Sequence, residues 1–509
     1  MRILMWHGWL LEGSGSNVAT ARTAEAFRAA GHDVLLLCQD RHPERFSFVD
    51  AHGTFAPDAS LHLRANPSAR AAMGRCVVVR PEIGSMLPVF VLDRYEGFED
   101  VRRFVDLADG PLETYLRRNA EQLGAAAALH QPDVAIVGHA IPGATIGRRA
   151  LGPQRYVAKI HGSDLEYAVR PQRRYRELAR EGLEAATAVV GGTQDVLDRC
   201  AELVPDMRPL DRVVAPGVDV SRFRPMSRDL ALMHVASELA GDAGSRDGRP
   251  EQADERLAAA TEARDADAVV ALGESYEQDV PDPGAAGRLR DLAERPEPIV
   301  GYLGKLIPQK GVELLLQALA TVRPDVLGLI VGFGSGRDPL QALSTAIARG
   351  DRDDAAWLEE TFGLTVDRDA VPPDARTPPV TFTGMLDHRY APGVLAAMDV
   401  QVVPSILPEA FGIVAAEGAA CGALPLVARH SGLAEVAGAL EDEVGRAGLF
   451  SFEPGPGSAQ RLAASIEGLL ALSPAERDEL RAAIVSFVRT HWTWDRTAAG
   501  LLDAAAGPR

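Results

Sequence analysis

The apolar positions of this chain repeat one pattern in two stretches. Short apolar runs of strand character alternate with segments at helical spacing. In the first stretch Ile3 to Met5 reads as a strand, Glu12 to Asn17 as a glycine- and serine-rich loop, and Val18 to Ala30 as a helix. Ala21, Ala24, Phe27 and Arg28 fall at helical spacing there, and Gly31 closes the helix. Val34 to Cys38, Val89 to Leu92, Val134 to Val137, Tyr156 to Ile160, Val189-Val190 and Arg212 to Val214 read as further strands. The pattern restarts near Pro298. Strands are expected at Ile299 to Leu303, Leu327 to Val331, Val380 to Phe382, Val400 to Val403 and Leu424 to Ala428, with a helix over Gly311 to Val322. Apolar strands separated by helices indicate parallel sheets covered on both faces. Ligands of such sheets bind at the carboxyl ends of the strands. The expectation is α/β, with two doubly wound halves facing across a cleft.

The segment from about Met226 to Glu297 breaks the pattern. Its one strand-like run is Ala268 to Leu272, and it holds 17 acidic against 8 basic residues. It reads as an acidic, solvated helical insertion or linker, dispensable for chemistry in the flanking halves. The expected division is therefore 1–225, 226–297 and 298–485, with 486–509 a helix returning to the N-terminal part.

Composition narrows the class. With 509 residues the chain exceeds one ordinary core. A net charge of −18 argues against nucleic acid as partner. The four cysteines are scattered without C-x-x-C spacing, so neither zinc nor a disulfide framework is expected and a reducing cytoplasm fits. The start, MRILMWHGWLLEG, is broken by His7 and Gly8 and reads as a strand rather than a leader. No apolar run reaches bilayer-spanning length. Peripheral membrane contact through a helix face stays open.

Four loops carry candidate chemistry. The richest is PSILPEAFGIVAAE, Pro404 to Glu417, where a strand ends and a helix begins near Gly412. A helix N-terminus offers unpaired N–H groups and positive dipole to a phosphate, here with Glu409 before it and Glu417 about one turn inside. The ordinary alternative is two exposed glutamates on a surface helix. Gly304 to Gly311 places Lys305 and Lys310 around a strand-to-helix turn, two cations able to neutralise a diphosphate without a metal. Gly13-Ser14-Gly15 opens the first helix and would let an anion approach, or is an ordinary turn. His161-Gly162-Ser163-Asp164 follows a strand, and Ser163 or Asp164 also suits a helix cap. The D-x-D matches at Asp265, Asp351 and Asp367 lie in polar runs, the first alanine-rich, rather than at strand ends, so no metal site is expected.

Together these residues resemble the family 4 glycosyltransferases, retaining sugar-nucleotide-dependent enzymes of the GT-B fold. Glu409-Ala410-Phe411-Gly412 followed by Glu417 matches the family's E-x7-E element. Gly304-Lys305 through Lys310-Gly311 matches G-R-x4-K-G, with Lys305 replacing arginine and losing its bidentate fork. Ala215 to Asp219, with Phe223 and Pro225, resembles an interdomain element of the family, with Pro216 in place of its asparagine. Ser431 to Glu435 stands where G-G-x-x-E is frequent. The resemblance covers the chain except the insertion and the region around Arg349 to Thr377. It implies two Rossmann-like domains, with the donor in the C-terminal one. Glu409 would bind donor sugar hydroxyls, N–H groups near Phe411, Gly412 and Ile413 the diphosphate, and Glu417 the ribose. Lys305 and Lys310 would stabilise the departing nucleotide, His161 would approach the reacting carbon, and Gly15 would line the donor. Gly384-Met385-Leu386 would lie against the base.

The expected activity is a retaining, hexosyltransferase-like transfer to an acceptor hydroxyl, without metal or other cofactor. A sugar-nucleotide epimerase and a non-catalytic sugar-nucleotide-binding module are the alternatives. Asp93 to Glu96 and His139 are acceptor candidates, each also readable as a structural turn.

Overall fold

A computed structural model describes residues 1–56, 60–92, 95, 97–205, 210–322, 326–367 and 379–507. The chain forms two compact units, Met1–Gly217 with Trp492–Arg509, and Val218–His491.

The first unit is built on a nine-stranded sheet. Its strands are β1 (Arg2–Trp6), β2 (Asp33–Leu37), β3 (Ala51–Phe55), β4 (Leu61–Ala65), β5 (Arg75–Arg80), β8 (Val134–Gly138), β9 (Val157–Lys159), β10 (Ala188–Gly191) and β11 (Leu210–Val213). Two further strands, β6 (Met86–Val89) and β7 (Asp100–Arg103), pair with each other alone. The sheet order is β11-β10-β9-β8-β1-β2-β5-β3-β4, parallel except for the β3–β4 hairpin. β1 lies between β2 and β8, so both its edges are paired, and Ile3 to Trp6 are buried on both faces, which is why it reads as an uninterrupted apolar run.

The β3–β4 hairpin was not legible because its second strand, LHLRA, is largely exposed and carries no apolar run. The strand expected over Val89 to Leu92 lies earlier, ending at Val89, and Val91 and Leu92 are exposed. Helix Trp494–Ala505 closes this unit. It buries Trp494, Ala498, Leu501 and Ala504 in the same core as Ile3, Phe27 and Val34. Thr497 Oγ1 donates to the Ala215 carbonyl at 2.8 Å. The returning segment therefore begins at Trp492 rather than 486.

The second unit holds a six-stranded parallel sheet. Its strands are β12 (Ile299–Lys305), β13 (Leu327–Phe333), β14 (Val380–Phe382), β15 (Val400–Val403), β16 (Leu424–Ala428) and β17 (Ser451–Phe452). The order is β14-β13-β12-β15-β16-β17. The boundary between the units falls at Gly217, earlier than the expected 225.

The acidic segment is no linker. It folds into helices Arg228–Ala240, Ala253–Glu262, Ala266–Glu274 and Ala285–Ala293 within this second unit. Leu232, Val235 and Leu239 of the first helix and Leu289 and Leu292 of the last are buried. The run Ala268 to Leu272 is helical, because Asp265 caps it by accepting from Ala268 N and only Val269 and Leu272 turn inward.

Candidate active site

The strand order locates a crevice in each unit. In the second, successive strands run outward from β12 to β14 and then from β15 to β17, so the order reverses between β12 and β15. Loops diverge at such a switch point and leave room for a ligand at the carboxyl ends. The loop after β12 carries Lys305 and Lys310, and the loop after β15 carries Ser405 and Glu409. Gly311 brings the two together. It is left-handed at φ +62°, and a Cβ there would sit 2.4 Å from the Pro404 carbonyl oxygen. Ile406 N donates to the Gln309 carbonyl at 2.9 Å.

Glu409 is the centre of the resulting network. Its Oε1 accepts from Lys310 Nζ and, at 2.7 Å, from Ser405 Oγ. Burial pushes its carboxyl up, but the charge and hydrogen bond of Lys310 and the bond from Ser405 outweigh this and hold it below its ordinary value. Its backbone N–H donates to Ser431 Oγ at 2.9 Å. His430, after β16, fixes Ser431. His430 Nε2 lies 2.6 Å from the Ser405 carbonyl and can only donate to it. In the neutral ring Nδ1 then accepts the Ser431 hydroxyl at 3.0 Å. The backbone of the 404–409 loop is thereby tied to β16. Gly412 caps helix Ile413–Cys421, and Glu417 is buried inside that helix. Lys305 Nζ stands 5.6 Å from the Phe333 ring centroid.

In the first unit the order reverses between β1 and β8. His7 follows β1, His139 follows β8 and His161 follows β9. The His139 and His161 rings are 4.5 Å apart and those of His7 and His139 5.8 Å. Burial lowers all three: His7 to about 4, His139 and His161 well below the ordinary value, with neighbouring Lys159 adding to each shift. Burial also brings Lys159 down to about 8. Its Nζ, His139 Nδ1 and His161 Nε2 are buried without a hydrogen-bond partner among the described residues. Asn17 links this group to the glycine loop: its Oδ1 lies 2.9 Å from His7 Nε2 and its Nδ2 donates to the Glu12 carbonyl. Ser14 caps helix Gly15–Ala29, with Gly15 exposed at its start.

Of the residues expected from sequence, Lys305, Lys310, Glu409, Phe411, Gly412, Ile413 and Glu417 lie around the switch point of the second unit. Gly384 and Leu386 follow edge strand β14. Gly15 and His161 belong to the first unit. Asp164 does not cap with its side chain; its carboxylate accepts from Ala140 N and pins the β8 loop, and burial raises it to about 6. Among the D-x-D matches, Asp265 and Asp351 are helix caps. Asp369 lies outside the described residues, as do Asp93, Arg94 and Glu96 of the acceptor candidate. His7, Lys159, Ser405 and His430 were missed. Their signal was the one that drew attention to His161, a polar side chain at the carboxyl end of an apolar strand.

Comparison with known proteins bears on the family and the fold. Residues 14–217 match the family model described as a glycosyl transferase 4-like domain, and residues 297–471 match that described as glycosyl transferases group 1. The segment between the two matches contains the helical insertion. The D-inositol 3-phosphate glycosyltransferase of Segniliparus rotundus is 32% identical over 224 residues, 43% of this chain and 42% of that protein. A GDP-mannose-dependent alpha-(1-6)-phosphatidylinositol monomannoside mannosyltransferase of Mycolicibacterium smegmatis is 29% identical over 164 residues, 30% of this chain and 35% of that protein. The matched region thus spans less than half of either relative. Among solved structures, sucrose-phosphate synthase of Thermosynechococcus elongatus superposes with a TM-score of 0.58 at 19% identity, covering 98% of this chain and 97% of that one. Anabaena HepE in complex with UDP and glucose gives 0.57 at 15% identity, covering 99% of both chains. These two likenesses concern the fold.

Proposed function

The chain is a family 4 glycosyltransferase of the GT-B fold, and on that premise we propose that it moves a sugar from a nucleotide-sugar donor to an acceptor hydroxyl with retention and without a metal. The observation that carries the reading is the convergence of Lys310, Ser405 and the Ser431–His430 pair on Glu409, at the switch point and beside the N-terminus of helix Ile413–Cys421.

Each group has a task in this reading. The helix N-terminus and Lys305 receive the diphosphate. Lys310, paired with Glu409 in this structure, turns to the diphosphate as negative charge grows on it. Glu409 accepts from donor sugar hydroxyls, and Ser405 and Ser431 keep its carboxylate and backbone in register. Glu417 accepts from the ribose hydroxyls. Phe411, Gly412 and Ile413 border the diphosphate and Gly15 the donor, while Gly384 and Leu386 flank the base. His161, kept neutral by burial, approaches the reacting carbon. The acceptor oxygen bonds to the anomeric carbon as the carbon–oxygen bond to the diphosphate breaks on the same face. The acceptor proton passes to the departing phosphate oxygen, so no flanking carboxylate pair is needed.

The test is donor-dependent release of nucleoside diphosphate in excess chelator. UDP- and GDP-sugars should be screened against inositol-bearing acceptors, the class named for two relatives. NMR of the product should show the anomeric configuration of the donor. Inversion would refute retention, and loss of transfer in chelator restored by magnesium or manganese would refute metal independence. Donor binding without transfer or epimerisation, across the whole panel, would leave a binding module.

A further inference from the structure

The inserted helices carry a strap that crosses the turn after β14. Between helices Ala266–Glu274 and Ala285–Ala293 the chain is a bent connection in which Pro281 forms an antiparallel bridge with Gly384. Asp282 N donates to the Thr383 carbonyl at 2.8 Å, and Met385 N donates to the Val280 carbonyl at 3.1 Å. The approach demands a glycine at 384. Its φ is +73°, and a Cβ would meet Asp282 N at 2.6 Å and Val280 O at 2.8 Å.

The strap is anchored by buried charge. Asp282 Oδ2 accepts from Arg337 Nη2 at 3.1 Å and from Arg288 Nη2 at 3.0 Å. Arg337 opens the helix after β13, and its guanidinium lies 4.3 Å from the Phe382 ring centroid on β14. The neighbouring Asp338 accepts from Arg249 Nε at 2.7 Å and Tyr276 OH at 2.8 Å, both from the insertion. Asp282, Arg337, Asp338 and Arg249 are all buried. Breaking such a pair strands a buried charge, so the strap is held in one place.

We propose that this strap is the specificity-determining part of the donor site. It sets the shape of the Gly384–Leu386 turn and thereby which nucleobase the site accepts. The inference rests on the reading of that turn as the base-binding edge. Val280, Pro281 and Asp282 are positioning residues, acting through the backbone of the turn. The insertion is therefore part of the donor site, against the expectation from its composition that it is dispensable. Its acidity does not repel the donor at this point, because Asp282 is neutralised by two arginines.

The experiment measures affinities of the full chain for UDP, GDP, ADP and inorganic pyrophosphate, in wild type and the strap variants Asp282→Asn and Arg288→Ala, with Lys310→Ala as the control for the donor site itself. Arg288 is partly exposed, so its variant carries the test if Asp282→Asn fails to fold. The wild type should prefer one base. In the variants the ratio between the preferred and the next base should fall about tenfold, since discrimination by a shaped polar edge is lost when that edge relaxes. Pyrophosphate affinity should stay within about twofold, as its site lies at the β12–β15 switch point. An unchanged base ratio in the folded variants, or a wild type indifferent to the base, would overturn the strap's role. Failure of every nucleotide to bind, or binding indifferent to Lys310→Ala, would instead overturn the donor-site reading on which it rests.

Discussion

At the scale of single residues, Glu409 and Lys310 carry the sharpest expectations. Glu409→Ala should lower kcat on the order of 10²-fold or more, as removal of one preorganised polar group does elsewhere. Its side chain is only partly buried and its partners are polar, so the thermal midpoint should move little. Near-normal turnover would remove Glu409 from the chemistry. Lys310→Ala should weaken binding of the free nucleoside diphosphate about tenfold, measured by calorimetry. It also strips Glu409 of the charge that holds its carboxyl down. Both residues were legible because their spacing around glycine and a helix start is local. His430 was not, because its partners, the Ser405 carbonyl and the Ser431 hydroxyl, meet only when β15 and β16 pair.

At the scale of elements, helix Trp494–Ala505 and the histidine-bearing strand ends are the informative pieces. The helix contributes Trp494 and Leu501 to the core of the first unit. A large apolar side chain buried in this way stabilises by about 1.5–3 kcal/mol. Leu501→Ala should therefore cost about 2–5 kcal/mol in a denaturant titration. A smaller loss would mean that the helix is loosely seated. Truncation after His491 should leave the first unit unable to hold its fold, since domains are stable by only about 5–15 kcal/mol. The strand ends make that unit acid-sensitive. His7, His139 and His161 are neutral when folded but protonate near 6.5 when unfolded. The unfolded chain thus binds more protons below that pH, and stability falls by up to about 1.4 kcal/mol per pH unit for each histidine. For His7 the fall ends near pH 4.

Asp164, raised to about 6, has the opposite sign, because its folded form holds a proton that the unfolded form releases down to its lower pKa. It offsets one histidine over that window. Lys159, lowered to about 8, acts only at higher pH, where stability rises between about 8 and its unfolded value. The midpoint should fall between pH 7 and pH 5, and more steeply in wild type than in His139→Phe. Equal slopes would show that His139 is not held neutral.

At the scale of the whole molecule, the acidic segment behaves unlike its composition. Replacing residues 226–297 by a short Gly/Ser linker should destabilise the second unit, because Leu232, Val235, Leu289 and Leu292 are buried and Arg249 and Asp338 form a buried pair. Base preference should be lost with it. Recovery of a folded protein with wild-type melting would show that these helices contribute nothing to the unit they join. The periodicity of the flanking halves was readable because parallel strands covered on both faces must be continuously apolar.

The sequence by itself determined the α/β alternation, the two-sheet organisation and the loops bearing Lys305, Lys310, Glu409 and Glu417, because each is written in neighbouring residues: apolar runs, glycines at turns and a helix start. Tertiary structure alone decided three things. It folded 226–297 into the second unit through buried arginine–aspartate pairs that link Arg249 to Asp338 and Asp282 to Arg337. It gathered His7, His139 and His161 at the ends of separate strands. It laid Pro281 across Gly384. In each case the partners lie far apart in the chain, and only the pairing of strands and the burial of charge bring them together.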